Sequence, residues 1–350
     1  MSQLSCLSHL RDMVKNTDAI LITSPPNIFY LSGFTSSDAK LLITRDKQFL
    51  LTDSRYTIQA KSQCPDFIVY DKKNALKDLC SDFSIKSLAF EGNISVNNYE
   101  SLKISLHGVK FTNCSKQIAS LRWIKSDAEI EKIQTAAKIC DDAFANLLNH
   151  IKIGVTEKEL ALALEFDIRS HGASDVSFDT IVATGARSAM PHAIPTDAPV
   201  KDGDFLLFDF GALYEGYCSD ITRTVIVGTP NDQMLAIYET VLEAQLSALS
   251  AIKTGAKCSD IDKIARDIIS SAGYGENFGH ALGHSVGVEI HESPTFSSVC
   301  HEILQNNMVL TVEPGIYIEN LGGVRIEDTV VIMENNPQIL TKTSKKLINL

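Results

Sequence analysis

Two aspartates flank a tight turn in the C-terminal half of the sequence. Asp209 and Asp220 bracket a segment in which Tyr214-Glu215-Gly216 separates two apolar stretches, a pattern that predicts a β-hairpin. If the hairpin turns at Tyr214–Glu215, Asp209 lies directly opposite Asp220, with Cβ atoms about 5 Å apart. Two carboxylates at that distance repel each other, and a bound cation would relieve the repulsion. The alternative is that both are surface acids beside a turn.

Two glutamates repeat this arrangement further along the chain. Glu313 and Glu327 are symmetric about Asn320, and each lies in an apolar stretch that predicts a strand. A carboxylate buried in such a strand is costly unless it is paired or bound to a metal. An ion pair between Glu327 and Arg325 is the alternative, although it would leave Glu313 without a partner.

A glycine-rich segment between the two hairpins contains three histidines, His280, His284 and His291. Glycine allows the backbone to come close to another group. A single histidine is often a core residue with a satisfied hydrogen bond, but three within so short a segment favour a functional site. A fourth histidine, His192, follows Pro191 and, taken alone, is typical of a loop.

The charges of these residues predict the number of bound metals. Asp209, Asp220, Glu313 and Glu327 carry four negative charges, which two divalent cations would balance, and the neutral imidazole of His284 completes the set. A site rich in oxygen ligands with one nitrogen favours Mn²⁺, with Co²⁺, Fe²⁺ and Zn²⁺ as alternatives. Two such cations can share a water and lower its pKa toward about 7, which predicts metal-assisted hydrolysis.

Residues 1–125 have the pattern of a small α/β domain. Apolar stretches rich in β-branched and aromatic residues alternate there with helical segments. Short strands are predicted at 19–23, 40–44, 48–52, 67–70, 87–90 and 109–112.

Residues 126–350 have the pattern of a larger α+β domain. They open with Ser126-Asp-Ala-Glu129, which has the form of a capping box, and apolar residues follow at helical spacing. A second capping box at 156–159 begins another helix, and two more helices are predicted at 232–252 and 260–271. Because pairs of helices alternate with the two hairpins, the sequence predicts a domain built from two similar halves.

Composition restricts the classes of function. The 350 residues carry a formal net charge of −11 without a basic tract, which argues against a nucleic-acid partner. The sequence has no apolar run long enough to span a bilayer and no secretion signal over residues 1–15, which predicts a cytoplasmic protein without membrane association. The eight cysteines are scattered, which favours free buried thiols over a thiolate zinc site.

The order Asp, Asp, His, Glu, Glu and the segments around these residues resemble the pita-bread metallopeptidases of the M24 type, which include methionine aminopeptidases, prolidases and Xaa-Pro aminopeptidases. The resemblance covers 209–224, 279–294 and 309–328 almost without gaps. Residues 30–34 and 52–56 look like the N-terminal domain of the prolidase and Xaa-Pro aminopeptidase branch. The resemblance implies an α+β, pita-bread catalytic domain preceded by a smaller creatinase-type α/β domain.

The resemblance also implies how the metals are held. Asp220 and Glu327 should bridge the two ions, Asp209 should complete one site, and His284 and Glu313 should complete the other. Glu313 should also relay a proton from the attacking water to the leaving nitrogen.

Further residues match family positions around the metals. His192 and His291 should bind the substrate carbonyl and the developing oxyanion. His280 and Arg325 match positions that shape the site and hold a metal-ligating carboxylate, and Tyr317 is a candidate hydrogen-bond donor behind the ligands. Members of the family are usually homodimers in which the N-terminal domain closes off the partner's active site. Residues 53–56 are therefore candidates for substrate selection.

The choice between an aminopeptidase and a dipeptidase depends on one residue type. A dipeptidase recognises the free carboxylate of a C-terminal proline, and guanidinium is the natural group for that contact. Prolidases commonly have an arginine shortly after the position of His291, but no arginine occurs here between Arg266 and Arg325. The sequence therefore favours an Xaa-Pro aminopeptidase, which acts on peptides with proline at the second position, with an Xaa-Pro dipeptidase as the alternative.

Two other classes of function are compatible with the same fold. A pita-bread protein that has lost its ligands binds partners without catalysis, but the full ligand set here argues against that. A metal-free amidinohydrolase of the creatinase kind has the same two-domain layout and uses a histidine base.

Overall fold

The computed structural model describes residues 3–36 and 38–350. The chain divides into two compact units, Met1–Arg122 and Trp123–Leu350, and the proposed domain boundary between residues 125 and 126 lies just after this division. Among the described residues, no helix has both the length and the apolar character that crossing a membrane requires. The eight cysteines are free thiols, and all but Cys300 are buried, as the sequence predicts.

The N-terminal unit contains one mixed sheet with helices around it. Its strands are β1 (Ala19–Ile22), β2 (Lys40–Thr44), β3 (Gln48–Leu51), β4 (Ile68–Tyr70), β5 (Ser87–Phe90) and β6 (Lys110–Asn113). Its helices are α1 (Gln3–Met13), α2 (Pro25–Ser32), α3 (Thr57–Gln63), α4 (Ala75–Asp82), α5 (Val96–Ser105) and α6 (Ser115–Leu121). The predicted strands are confirmed, with small differences at their ends.

The sheet of this unit lies between two apolar cores. Its strands follow the order β4-β3-β2-β1-β5-β6, and only β2 runs antiparallel to its neighbours. Ile20 and Ile22 enter one core, whereas Ala19 and Leu21 enter the other. Because both faces of β1 are buried, the strand is a continuous apolar run without alternation of polar residues.

The helices of the C-terminal unit come in two pairs separated by strands. They are α7 (Asp127–Leu147), α8 (Glu157–Ser170), α9 (Asp232–Ala251) and α10 (Cys258–Ser271). Both predicted capping boxes are present: the Ser126 N–H donates to Glu129 at 2.8 Å, and the Thr156 N–H donates to Glu159 at 2.8 Å. These bonds occupy backbone donors at the helix N-terminus that lack a partner within the helix.

The strands of the C-terminal unit form one five-stranded sheet, two three-stranded sheets and one two-stranded sheet. They are β7 (Asp175–Val176), β8 (Ile181–Thr184), β9 (Asp204–Phe210), β10 (Ala212–Tyr214), β11 (Tyr217–Cys218), β12 (Ile221–Val227), β13 (Gly283–Ser285), β14 (Glu292–Phe296), β15 (Val309–Val312), β16 (Gly315–Ile318), β17 (Gly322–Arg325), β18 (Asp328–Val331) and β19 (Gln338–Ile339). The sheet orders are β11-β10-β7, β12-β9-β8, β14-β13-β15-β18-β19 and β16-β17.

Each pair of helices packs on its own sheet. Phe144 of α7 lies in one core with Phe208 and Phe210 of β9, and Val241 of α9 lies in the other with Leu310 of β15. The ring of Phe144 stacks on that of Phe210, with centroids 5.5 Å apart. The C-terminal unit therefore has the two similar halves that the sequence predicts.

The first hairpin turns one residue later than the sequence predicts. Glu215 and Gly216 both have positive φ, 46° and 81°, as the central residues of a type I′ turn require. The resulting register places Thr222, not Asp220, directly opposite Asp209. The predicted pairing of the two aspartates is therefore wrong, because it centres the turn too early in the chain.

The second hairpin keeps the predicted symmetry. Gly315 lies opposite Arg325 in the β16–β17 pair, and Val312 lies opposite Asp328 in the β15–β18 pair. Both pairs are symmetric about Asn320, although they belong to different sheets. The two predicted glutamates lie where the chain passes from one sheet to the other.

Candidate metal centre

Three of the predicted carboxylates converge in the C-terminal unit. Asp209, Asp220 and Glu327 each place one carboxylate oxygen so that these oxygens lie within 4.8 Å of one another. Asp220 is 4% exposed and Glu327 is 1% exposed. Among the described residues, Oδ1 of Asp209 and Oε1 of Glu327 are buried without a hydrogen-bond partner. Such oxygens are costly to bury unless a cation binds them, so this site fits a metal.

His284 and Glu313 extend the cluster. His284 Nε2 lies 3.3 Å from Glu313 Oε1 and 3.5 Å from Asp220 Oδ2. Nδ1 of the same ring lies 3.2 Å from the carbonyl oxygen of Ser285, so the tautomer protonated at Nδ1 directs the Nε2 lone pair toward the carboxylates. Strand β13 brings the ring here because Gly283 has no Cβ, which would collide with the backbone of β15.

Burial and mutual repulsion change the ionisation of these groups. Burial, followed by the charges of Glu327 and Asp209, raises the pKa of Asp220 well above its ordinary value. Burial also raises the pKa of Glu313 to about 8 and that of Glu327 well above its ordinary value. Burial lowers the pKa of His284, which keeps its imidazole neutral. A neutral imidazole is the form that binds a metal.

Arg325 connects the cluster to two other predicted residues. Its Nη2 donates to Asp209 Oδ2 at 2.6 Å, and its Nη1 donates to the Tyr317 hydroxyl at 2.7 Å. The Tyr317 hydroxyl lies 3.0 Å from Nε2 of His280. Burial, aided by Arg325, lowers the pKa of His280 to about 4, so the neutral ring accepts a hydrogen bond from the Tyr317 hydroxyl. The alternative ion pair between Arg325 and Glu327 is not the one formed, because the guanidinium pairs with Asp209.

The two histidines predicted to contact substrate lie beside the cluster. The His291 ring meets the His284 ring edge-on, with centroids 4.4 Å apart. His192 follows the 3-10 helix Gly185–Ala189. The carbonyl oxygen of the preceding residue, Pro191, lies 3.4 Å from the Arg325 guanidinium. Desolvation, then the charge of His284 and more weakly that of His192, lowers the pKa of His291. Their contact with a substrate stays a prediction.

Residues 53–56 lie in the N-terminal unit. Arg55 Nη2 lies 2.7 Å from Asp53 Oδ2 and 3.3 Å from Asp38 Oδ2, and both pairs are largely exposed. Contact of these residues with the substrate of a partner subunit stays a prediction.

The sequence patterns do not indicate the hydroxyl groups that hold the carboxylates. Thr222 Oγ1 donates to Glu327 Oε2 at 2.7 Å, and Thr311 Oγ1 donates to Glu313 Oε1 at 3.0 Å. Both threonines are fully buried. One pattern could have pointed to Thr222. Thr222 and Thr224 are two residues apart in β12, so both hydroxyls lie on the same face of the strand.

Binding of Mn²⁺ to the metal-free protein should release protons. The carboxyl of Glu313, with a pKa of about 8, is mostly protonated at neutral pH, and a metal must displace that proton. We therefore expect the apparent affinity for Mn²⁺ to rise from pH 6 toward pH 8, with release of about one proton or more per chain at pH 7. Titration calorimetry in two buffers of different ionisation enthalpy measures this number.

A Glu313→Gln variant is the control for that titration. It lacks the titrating carboxyl and should release fewer protons than the unmodified chain at pH 7. An affinity for Mn²⁺ that does not change between pH 6 and pH 8 would contradict the prediction.

Comparison with known families and proteins agrees with the resemblance. Residues 131–334 match Metallopeptidase family M24, and residues 11–124 match the Creatinase/Prolidase N-terminal domain. An Xaa-Pro dipeptidase of Pyrococcus horikoshii is 41% identical over 339 residues, which are 96% of each chain.

Solved structures match over both units. An Xaa-Pro dipeptidase from Bacillus anthracis has a TM-score of 0.96 and 38% identity, and the match covers 100% of both chains. An X-Pro aminopeptidase from Thermotoga maritima has a TM-score of 0.90 and 40% identity over 97% of this chain and 99% of that one. The chain therefore belongs to metallopeptidase family M24, with a C-terminal pita-bread domain and a creatinase/prolidase-type N-terminal domain.

Proposed function

We propose that this metallopeptidase is an Xaa-Pro dipeptidase, which hydrolyses the bond before a C-terminal proline. The buried carboxylate cluster around Asp209, Asp220 and Glu327 carries the proposal, in a chain 41% identical to a protein named Xaa-Pro dipeptidase. The Bacillus anthracis structure, with a TM-score of 0.96, has the same name. The comparisons thus favour the dipeptidase over the aminopeptidase, although the sequence patterns favour the aminopeptidase.

Five residues would hold two divalent ions. They are Asp209, Asp220, His284, Glu313 and Glu327. Oxygen ligands with a single nitrogen suit Mn²⁺, with Co²⁺, Fe²⁺ and Zn²⁺ as alternatives. When bound, the ions would lower the pKa of the attacking water and polarise the scissile carbonyl.

The other steps fall to the side chains themselves. Glu313, held by Thr311 Oγ1 at 3.0 Å, would take the proton of the attacking water and deliver it to the leaving proline nitrogen. His192 and His291 would donate hydrogen bonds to the carbonyl oxygen as negative charge develops there. Donors fixed before the reaction stabilise this charge more than mobile water does, because they need no reorganisation.

Asp209 needs a fixed orientation to act as a ligand. Arg325 holds its Oδ2 at 2.6 Å and leaves Oδ1 without a partner among the described residues. Tyr317 accepts a hydrogen bond from Arg325 and donates one to His280. The chain of contacts therefore fixes the carboxylate from behind, in the manner of groups that orient metal ligands.

An Xaa-Pro aminopeptidase is the second candidate. The specific observation in its favour is that no arginine lies between Arg266 and Arg325 to pair with a substrate carboxylate. The Thermotoga maritima structure, at 40% identity, is an X-Pro aminopeptidase. Substrates of this activity continue past the proline and need no such contact.

The proposal extends to assembly and location. We propose a homodimer in which residues 53–56 contribute to substrate selection in the partner's site, and we propose a cytoplasmic protein with no nucleic-acid or membrane partner. The formal charge of −11 supports the lack of a nucleic-acid partner.

Substrate length separates the two candidates. The Mn²⁺-loaded protein is incubated with Ala-Pro and with Ala-Pro-Ala, and released alanine is quantified. We expect cleavage of the dipeptide, with kcat/KM for the tripeptide at least about tenfold lower. The longer substrate has no carboxylate on its proline, and an ion pair with that group is worth about 1.4 kcal/mol or more. Faster cleavage of the tripeptide would favour the aminopeptidase.

Chelation separates both candidates from a metal-free amidinohydrolase. Exhaustive treatment with EDTA followed by gel filtration should abolish cleavage of Ala-Pro, and added Mn²⁺ should restore it. Full activity after chelation would contradict the metallopeptidase. A protein that binds two Mn²⁺ ions and cleaves neither peptide would favour a non-catalytic binding role.

A further inference from the structure

Glu157 is a fully buried carboxylate that the proposed chemistry does not use. It is the first residue of α8 and is 0% exposed. It accepts hydrogen bonds from the backbone N–H of Thr184 at 2.9 Å and of Thr196 at 2.8 Å, and from the Thr196 hydroxyl at 2.7 Å. A buried carboxylate is stable only when donors surround it, so these bonds fix the two threonines to α8.

Arg187 adds a link within the same segment. Its Nε donates to both oxygens of Glu157, at 2.9 Å and 3.0 Å. Its Nη2 donates to the carbonyl oxygen of Ile194 at 2.8 Å. Glu157 and Arg187 together therefore hold the beginning and the end of the segment 184–196.

His192 lies within this segment, and its side chain is exposed. Among the described residues no side chain or backbone group is hydrogen-bonded to its ring, so the backbone on either side sets the point from which the imidazole extends. On the opposite side, the Arg325 guanidinium lies 3.4 Å from the carbonyl oxygen of Pro191. The segment is thus held between α8 and the arginine that contacts Asp209.

We infer that Glu157 is a positioning residue for His192, acting with Arg187 through the segment 184–196. The inference rests on the proposed function, in which His192 contacts the substrate carbonyl. A group displaced by about 1 Å can cost about 100-fold in rate, because the reacting geometry is lost. Glu157 itself would contact neither substrate nor metal, and its effect reaches the reaction only through His192.

The negative charge of Glu157 is needed because all its partners are donors. Oε1 accepts from Thr184 and Arg187, and Oε2 accepts from Arg187 and Thr196. In a Glu157→Gln variant, an amide NH₂ group replaces one of the two oxygens. The backbone N–H of one of the two threonines then faces a donor in place of an acceptor. The variant keeps the size of the side chain and removes one attachment of the segment.

A double-mutant cycle tests the inference. Glu157→Gln, His192→Ala and the double variant are compared with the unmodified chain by kcat/KM on Ala-Pro at full Mn²⁺ content. We expect Glu157→Gln to lower kcat/KM about 10- to 100-fold in the native background. In the His192→Ala background we expect a change of less than about twofold, because the group that Glu157 positions is absent.

Amide hydrogen exchange of the metal-free chain provides a readout that does not depend on activity. Glu157→Gln should accelerate exchange within 184–196 and leave the strands β9 and β12 at their native rates. Arg187→Lys is a second variant, should Glu157→Gln fail to fold. It keeps the charge but cannot reach both Glu157 and the Ile194 carbonyl, and it should accelerate the same segment.

Lys158→Met is the matched control. Lys158 also joins α8 to this region, through an exposed ion pair with Asp197 at 2.9 Å. Such pairs contribute little, so kcat/KM should stay within about twofold of the native value. An equal loss of kcat/KM from Glu157→Gln in both backgrounds, or unchanged exchange within 184–196, would overturn the inference. If the unmodified chain cleaves neither Ala-Pro nor Ala-Pro-Ala, the proposed function fails, and the exchange experiment still decides whether Glu157 holds the segment.

Discussion

Replacing Glu313 with glutamine should lower kcat on an Xaa-Pro substrate by about 10²- to 10⁴-fold, the range of general acid–base catalysis. Glutamine has the same shape and can still accept the hydrogen bond from Thr311, but it cannot take up a proton. The variant also lacks one negative charge that would bind metal. Steady-state kinetics with saturating Mn²⁺ measures the loss, and elemental analysis gives the metal content of the same sample.

Glu319→Gln is the control for this experiment. Glu319 is an exposed glutamate of the same hairpin, and its substitution should leave both kcat and metal content near native values. If Glu313→Gln kept full metal and more than about half of the native kcat, the group would not be transferring the proton, since that transfer alone contributes at least about 10²-fold.

Replacing Arg223 with methionine should lower the free energy of unfolding by about 3–5 kcal/mol, the usual cost of removing one member of a buried ion pair. Arg223 lies 2.8 Å from Asp328, and both side chains are almost inaccessible, at 2% and 1%. Arg223 also donates to the carbonyl oxygens of Thr343 and Glu327. Methionine leaves these carbonyls without a donor, and chemical unfolding followed by circular dichroism measures the loss.

Lys263→Met is the matched control for stability. Lys263 and Asp267 form an ion pair of similar length, 2.6 Å, but their side chains are 70% and 61% exposed. Loss of an exposed pair should leave the unfolding midpoint almost unchanged. Equal destabilisation by Arg223→Met and Lys263→Met would show that the buried pair contributes no more than a surface pair does.

The sequence predicts the elements of the site because each ligand lies in a strongly patterned segment. Glu313 and Glu327 interrupt apolar stretches, where a carboxylate has no structural reason to be. The capping boxes at Ser126 and Thr156 locate two helices, since the acceptor and the glutamate three residues later form a local signal. These features depend on neighbours in the chain, so no tertiary information is needed to find them.

The pairing of the first hairpin could not be predicted in the same way. A shift of the turn by one residue changes every cross-strand partner, and Tyr214-Glu215-Gly216 allows more than one centre. Only the positive φ of both Glu215 and Gly216 decides between them. Asp209 and Asp220 nonetheless meet within the cluster, although Asp209 lies opposite Thr222 in the ladder.

Local sequence patterns do not predict contacts between distant segments, and for Arg325 only the family resemblance implied a contact with a metal-ligating carboxylate. Arg325 pairs with Asp209, which lies far from it in the chain. The charge balance of four carboxylates against two divalent ions did not include the positive charge of this buried guanidinium. The sequence indicated Glu157 only as a residue within a capping-box segment. That segment predicts the start of its helix but not the groups that bind its buried carboxylate. The choice of substrate depends on a contact of the same kind, because a cation from any segment could bind a prolyl carboxylate.

The hairpin that carries Glu313 and Glu327 has two regions that differ in their tolerance of insertions and deletions. An extra residue near Asn320 would lengthen a turn, and the cost of closing a longer loop grows slowly with its length. An extra residue between Gly322 and Glu327 would turn every later side chain to the opposite face of its strand, and Glu327 would leave the cluster. The number of residues from Gly322 to Glu327 is therefore as strictly constrained as the glutamate itself.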